Sequence, residues 1–259
     1  MSAINYHETL WSELFPGNRN TVECLQPAVL AVETALELGP TQRQRTVYRL
    51  DGGAGTDDKV RWLLARDYHV VAKGFSGRRA QVLTHQVQRW DRYGADAWLG
   101  QVAAPVDFGR PVRVVVKKWP LHDTWKHSYY LTTLPLSSNT ALLQLYDLRG
   151  GAEVEQFRED KGGLHLSARR KRSWPAQKTL LILTDLAHNL LADFRYRALA
   201  NSPFAEWGLK RIVRDLLQMP GLLVFEDAQL KSIQLLVTHP YAADLLICLE
   251  KYCARPFGE

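Results

Sequence analysis

The chain has 259 residues, with 33 Lys and Arg against 27 Asp and Glu for a net charge of +6; 46% of the residues are hydrophobic and 23% charged. This composition excludes an intrinsically disordered chain, and the length suffices for a sizeable core in one large domain or two smaller ones. Three cysteines, Cys24, Cys248 and Cys253, at spacings that suit neither a disulfide framework nor a zinc site, exclude a disulfide-stapled miniature and read as reduced, packing thiols.

Residues 1–14 lack the basic start, apolar middle and small-residue cleavage site of a signal peptide, and 7–14 have strand character up to the turn Phe15-Pro16-Gly17-Asn18. Residues 21–38 place Val22, Leu25, Val29, Val32 and Leu36 near helical spacing, with Thr21 as cap and Gly39-Pro40 as stop. A strand over 46–50 runs into Asp51-Gly52-Gly53-Ala54-Gly55. Thr56-Asp57-Asp58 then opens a helix through Trp62, Leu63 and Leu64, and 68–72 is a second strand. This strand-helix-strand unit implies parallel pairing, with ligands expected beyond the strand ends and Asp51 at one of them. From Gly77 on, Arg78 and Arg79 and then Trp90, Trp98, Trp119 and Trp125 lie among short β-type runs, which predicts an inserted β-rich module.

Helical character returns at 139 and again over 176–197. Within the latter, 180–194 is interrupted by Asp185, His188, Asn189 and Asp193, so it falls short of the roughly 18 apolar residues of a membrane span and reads as a buried helix. The tail offers two short strands, at 222–225 and 232–237, and a last helix from about Tyr241. Without a signal or span, the expectation is a cytoplasmic protein.

A carboxylate at a strand end in a glycine-rich turn, as Asp51 is, can ligate Mg²⁺; without a second carboxylate it reads instead as a turn aspartate satisfying backbone amides, the commoner fate of an Asp-Gly-Gly. A second carboxylate has candidates in 146–161, where Tyr146, Arg149 and Glu153 share one helical face, Arg149 can orient Glu153, and Tyr146 and Lys161 can reach a phosphate. The alternative is an exposed, charge-laced helix. The run Arg169-Arg170-Lys171-Arg172, with Arg158, Lys161 and Lys178 nearby, is either a solvated basic turn or a phosphate-binding patch.

The stretch Arg49-Leu50-Asp51-Gly52-Gly53-Ala54-Gly55-Thr56-Asp57-Asp58, with Trp62-Leu63-Leu64 and Ala72-Lys73-Gly74-Phe75-Ser76-Gly77-Arg78-Arg79-Ala80, resembles the region around the second catalytic aspartate of bacterial insertion-sequence transposases of the DDE group. Phe15-Pro16-Gly17-Asn18 upstream is similar to the same enzymes. Tyr146, Arg149, Glu153 and Lys161 resemble their Tyr-x2-Arg-x3-Glu-x6-Lys signature, and Leu186-Ala187-His188-Asn189 resembles part of the helix that follows. Seven residues separate Glu153 from Lys161 where the signature has six, so Glu153 is the first candidate and Glu155 the second.

The resemblance implies an α/β fold: an RNase H-like core, incomplete because its first strands and first catalytic aspartate are missing, a β-rich insertion and a small C-terminal α+β segment. The corresponding division is 1–80 for the first part of the core, 81–135 for the insertion, 136–200 for the core's C-terminal helices and 201–259 for the last segment. It implies Mg²⁺ or Mn²⁺ held by three carboxylates, here Asp51 and Glu153 with one lacking, and phosphoryl transfer that excises and inserts DNA through a hairpin. Transposon-end DNA would be contacted by Tyr146, Arg149, Lys161 and Arg169, Arg170, Lys171 and Arg172, an insertion tryptophan would stack on a flipped base, and a complete enzyme would be a homodimer. The expectation is a truncated transposase that does not cleave DNA alone; the alternative is a non-catalytic remnant that binds DNA or a full-length transposase and acts as an inhibitor.

Overall fold

A computed structural model describes residues 1–3, 8–166, 172–236 and 238–254, with backbone alone for Ser2–Ala3 and 149–157. The chain divides into two compact units, one of residues 14–151 and the other of 1–13 with 152–259.

In the first unit, α1 (Thr21–Ala35) starts one residue earlier in its capping than the sequence suggests. Asn20, not Thr21, is the cap: its Oδ1 accepts from the Glu23 amide at 3.1 Å while its Nδ2 donates to Glu23 Oε1 at 2.9 Å. The helix stops at Ala35, short of Leu38, because Glu37 turns into the left-handed region at φ 50°. A short α2 (Pro40–Arg43) follows. Then comes the strand-helix-strand unit in its expected place: β3 (Val47–Leu50), α3 (Asp57–Ala65) and β4 (His69–Lys73), with β3 and β4 parallel.

The stretch after Gly77 departs from expectation at its start. It begins as a helix, α4 (Gly77–Thr84), capped by Ser76 and anchored by Ala80 and Leu83, a two-residue apolar stripe too short to stand out in sequence. Its strands, β5 (Asp91–Tyr93), β6 (Ala97–Val102), β7 (Arg113–Leu121) and β8 (Thr124–Thr132), then join the sheet that β3 and β4 begin. β8 returns antiparallel to β4, giving one six-stranded sheet in the order β3-β4-β8-β7-β6-β5. Only β3–β4 is parallel, so the sheet is mostly antiparallel and β3 lies at its edge. The first turns of α5 (Asn139–Gly162) bury Leu142 and Leu143 against Val71, Leu99, Val115 and Tyr130 of the sheet.

In the second unit, β1 (Ser2–Ala3) and β2 (Glu8–Thr9) pair antiparallel, and β2 is shorter than the strand expected over 7–14. α6 (Trp174–Phe194) buries Thr184, His188, Leu191 and Phe194 and passes into a π-helical turn, Arg195–Leu199. α7 (Leu209–Asp215), the hairpin β9 (Gly221–Glu226) and β10 (Gln229–Leu235), and α8 (Ala242–Cys253) complete it around a core that includes Phe204, Ile212, Leu245 and Cys248. Among the described residues no helix is long and apolar enough to cross a membrane.

Candidate functional site

Asp51 follows directly on β3, at the C-terminal end of the parallel pair, in a turn held on two sides. Its carbonyl accepts from the Gly55 amide at 2.9 Å, and its side-chain Oδ1 accepts from the Ala54 amide at 3.0 Å. The turn rests on the segment leaving β4. The Phe75 amide donates to the Gly55 carbonyl at 3.2 Å, and a Cβ on Gly55 would stand 2.0 Å from the Lys73 carbonyl oxygen, so only glycine allows this approach. Behind it, Gly74 lies so close to the Tyr129 ring that a Cβ there would be 1.9 Å from it.

The acids next to Asp51 have other work. Asp57 takes both of its oxygens to Arg79 Nη1, at 2.8 and 2.6 Å, which ties the start of α3 to α4. Asp58 pairs with Arg61 at 3.1 Å. By contrast, Lys73 and Arg78 have no ion-pair partner among the described residues.

Two residues before Asp51, Arg49 donates through Nη1 to the Leu145 carbonyl of α5 at 3.0 Å. This bond joins the strand that presents Asp51 to the helix turn that presents Tyr146. Tyr146 is half-buried, its ring edge-on to Tyr130 with centroids 4.9 Å apart. The sequence points to Tyr146 but not to Arg49 as its link to Asp51, because no local pattern reveals a bond across 96 residues.

The side chains of Arg149, Glu153 and Glu155, and the residues Arg169, Arg170 and Lys171, lie outside the described residues. Lys161 is exposed in the last turn of α5, and Arg172 is exposed just before the Ser173 cap of α6. The neighbouring acids of α5 are engaged structurally. Glu159 accepts from the Leu209 amide at 3.1 Å, at the start of α7, and from Arg195 at 3.3 Å. Asp160 is buried and bonded through Oδ1 to His188 Nδ1 at 2.7 Å. The next residue on α6, Asn189, brackets the backbone of Thr9, accepting from its amide at 2.7 Å and donating to its carbonyl at 2.8 Å.

Among the tryptophans, Trp90, Trp98 and Trp125 surround one ammonium: Lys118 Nζ is 4.0 Å from the Trp90 ring centroid, 5.9 Å from Trp98 and 5.6 Å from Trp125. Trp125 is 51% exposed. On the adjacent residue, Lys117 Nζ lies 5.0 Å from Tyr93 and 5.6 Å from Trp119.

As a donor for a divalent cation Asp51 is suitable: a half-buried carboxylate with Oδ1 oriented by a backbone amide and Oδ2 without a hydrogen bond to any described group. One carboxylate does not make a site, and no three His, Cys, Asp or Glu side chains converge among the described residues.

No curated protein matches the chain. The model of the transposase DDE domain, group 1, matches residues 7–253, nearly the whole length, and with Asp51 at a strand end this chain belongs to the DDE transposase domain family.

Proposed function

We propose that the chain carries out, or once carried out, metal-dependent cleavage and joining of transposon-end DNA, with Asp51 and Glu153 as two of the carboxylates that hold Mg²⁺ or Mn²⁺ and Glu155 as the substitute for the latter. The observation that carries this reading is the presentation of Asp51, at the end of a parallel strand pair with Oδ1 fixed by Ala54 and Oδ2 open. Bound there, a divalent cation supplies an activated water or 3′-hydroxyl and offsets charge on the leaving oxygen. The protein's own part is positional. Arg49 couples the Asp51 strand to α5, and Tyr146, Arg149, Lys161 and the basic run 169–172 contact DNA phosphates.

The position of β3 at the sheet edge, without a partner on its outer side among the described residues, supports a further element of the reading. A strand paired parallel to β3 at that edge would end beside Asp51, the place for a third carboxylate. The same edge favours a second reading, a non-catalytic protein that binds DNA or a complete transposase and inhibits it.

Calorimetry of Mn²⁺ binding in the presence of hairpin DNA, with Asp51→Asn alongside, tests the proposal. Loss of an outer-shell partner already costs about 10- to 100-fold in metal affinity, so removal of a direct ligand should weaken binding by about a hundredfold or more. Equal binding by both proteins would overturn the assignment of Asp51. Strand cleavage by this chain at the rate of a complete enzyme would overturn the need for a third carboxylate from elsewhere.

A further inference from the structure

Next to the Asp51 turn stands a feature that the carboxylate chemistry does not use. Phe75 is 61% exposed, more than Trp125, the other exposed aromatic side chain among the described residues of the first unit. Its position is rigid: its amide is bonded to Gly55, the residue before it packs on the Tyr129 ring, and the residue after it, Ser76, caps α4 by accepting from the Arg79 amide at 3.1 Å. Two charges lie along the same segment. Lys73 runs its stem past Gly52, whose Cβ position is 3.8 Å from Lys73 Cδ, and Arg78 is exposed on the first turn of α4. Arg79 is occupied by Asp57, whereas Lys73 and Arg78 have no ion-pair partner among the described residues.

An exposed aromatic ring on an anchored backbone, with a cation on either side of it in the chain and neither cation ion-paired among the described residues, has no stabilising role in the fold, since burying Phe75 would favour folding and exposing it does not. The combination does match a nucleic-acid strand: cations for consecutive phosphates and an aromatic face for the base between them. Stacking also requires a base whose face is free, which a fully paired duplex interior does not offer.

We propose that Phe75, flanked by Lys73 and Arg78, is a stacking platform for an unpaired base at a DNA end, and so fixes the position of the strand next to Asp51. The proposal rests on the reading of Asp51 as the carboxylate at which DNA is cut. Phe75 acts as a positioning residue: it holds the strand and does no chemistry, and it gives the site a preference for frayed or single-stranded ends over blunt, fully paired ones.

The test is fluorescence anisotropy of the full chain with two labelled DNA probes, a duplex with an unpaired end and a blunt duplex, for the native protein, Phe75→Ala, Phe75→Trp and Arg78→Ala. The native protein should prefer the unpaired end. Phe75→Ala should bind that probe about tenfold more weakly and lose the preference, in line with an aromatic-base stack. Phe75→Trp should restore both, with tryptophan emission quenched by the DNA, an effect that a merely structural side chain would not produce. Arg78→Ala should weaken binding to both probes alike. If Phe75→Ala bound both probes as the native protein does, the platform would be overturned while the DNA-cutting reading stood. If the native protein bound neither probe, that reading would fall and the platform with it.

Discussion

Glu33 shows how a single side chain can hold a layer of this fold together. Its carboxylate, on α1, accepts from the Tyr68 hydroxyl at 2.7 Å, pairs with Arg43 at 3.3 Å, and pairs with Arg66, so that one acid binds α1, α2, α3 and the entry to β4. Burial raises its pKa, but the hydrogen bonds from Arg66, Tyr68 and Arg43 outweigh burial and the net displacement is downward from 4.5. A carboxylate whose folded pKa is depressed binds protons more readily when unfolded. Its stabilising contribution is therefore complete above the unfolded value and lost as pH falls through the folded one. Glu33→Gln should destabilise the protein by about 3 kcal/mol near neutral pH, because two guanidinium groups lose a mostly buried partner. Denaturant titrations of both proteins across pH should show a constant difference above about pH 5 that shrinks on further acidification. Tyr68, meanwhile, has its phenol pushed upward by burial and by the Glu33 bond, so it stays protonated and donating throughout that range.

Among the elements, the β9–β10 hairpin carries a built-in cost. Its two-residue loop, Asp227-Ala228, has both residues at positive φ, 48° and 60°, the conformation of a type I′ turn that favours Asn-Gly or Asp-Gly. A Cβ in that region costs about 1–2 kcal/mol per residue, so Ala228→Gly should stabilise the hairpin. Hydrogen exchange of the amides in β9 and β10 should slow by about fivefold, as about 1 kcal/mol predicts, with other elements unchanged. The sequence also shows where elements are legible and where they are not. β3, α3 and β4 are readable because apolar run, glycine turn and helical spacing all lie within thirty residues, and β9, β10 and α8 fall close to their expected limits for the same reason. The union of β5–β8 with β4 is not readable, since it depends on Thr132 meeting Val71 across a long separation, and nothing in either strand names its partner. The site divides likewise. Asp51 at a strand end is local information, whereas the roles of Asp160 and Glu159 within the acidic part of α5 emerge only when His188, Arg195 and α7 pack against them.

At the scale of the molecule, the +6 charge is modest, and its distribution matters more than its size. Many arginines are internally compensated, including Arg43, Arg66, Arg79, Arg195 and Arg214, while Lys73, Arg78, Lys161 and Arg172 have no ion-pair partner among the described residues. If about four cations each neutralise one phosphate, the logarithm of the DNA association constant should fall against the logarithm of salt concentration with a slope of about −3 to −4. A salt series with a duplex probe measures this, and a slope near zero would mean that the free cations face away from DNA. The tryptophan enclosure of Lys118 has a separate, optical consequence. Four of the eight indoles in the chain lie within residues 90–125, and three of them share one ammonium. Ultraviolet-excited emission from this protein is therefore weighted toward one end of one sheet, and whatever draws that ammonium away, be it an anion or the loosening of the β7–β8 hairpin, alters the surroundings of three indoles at once.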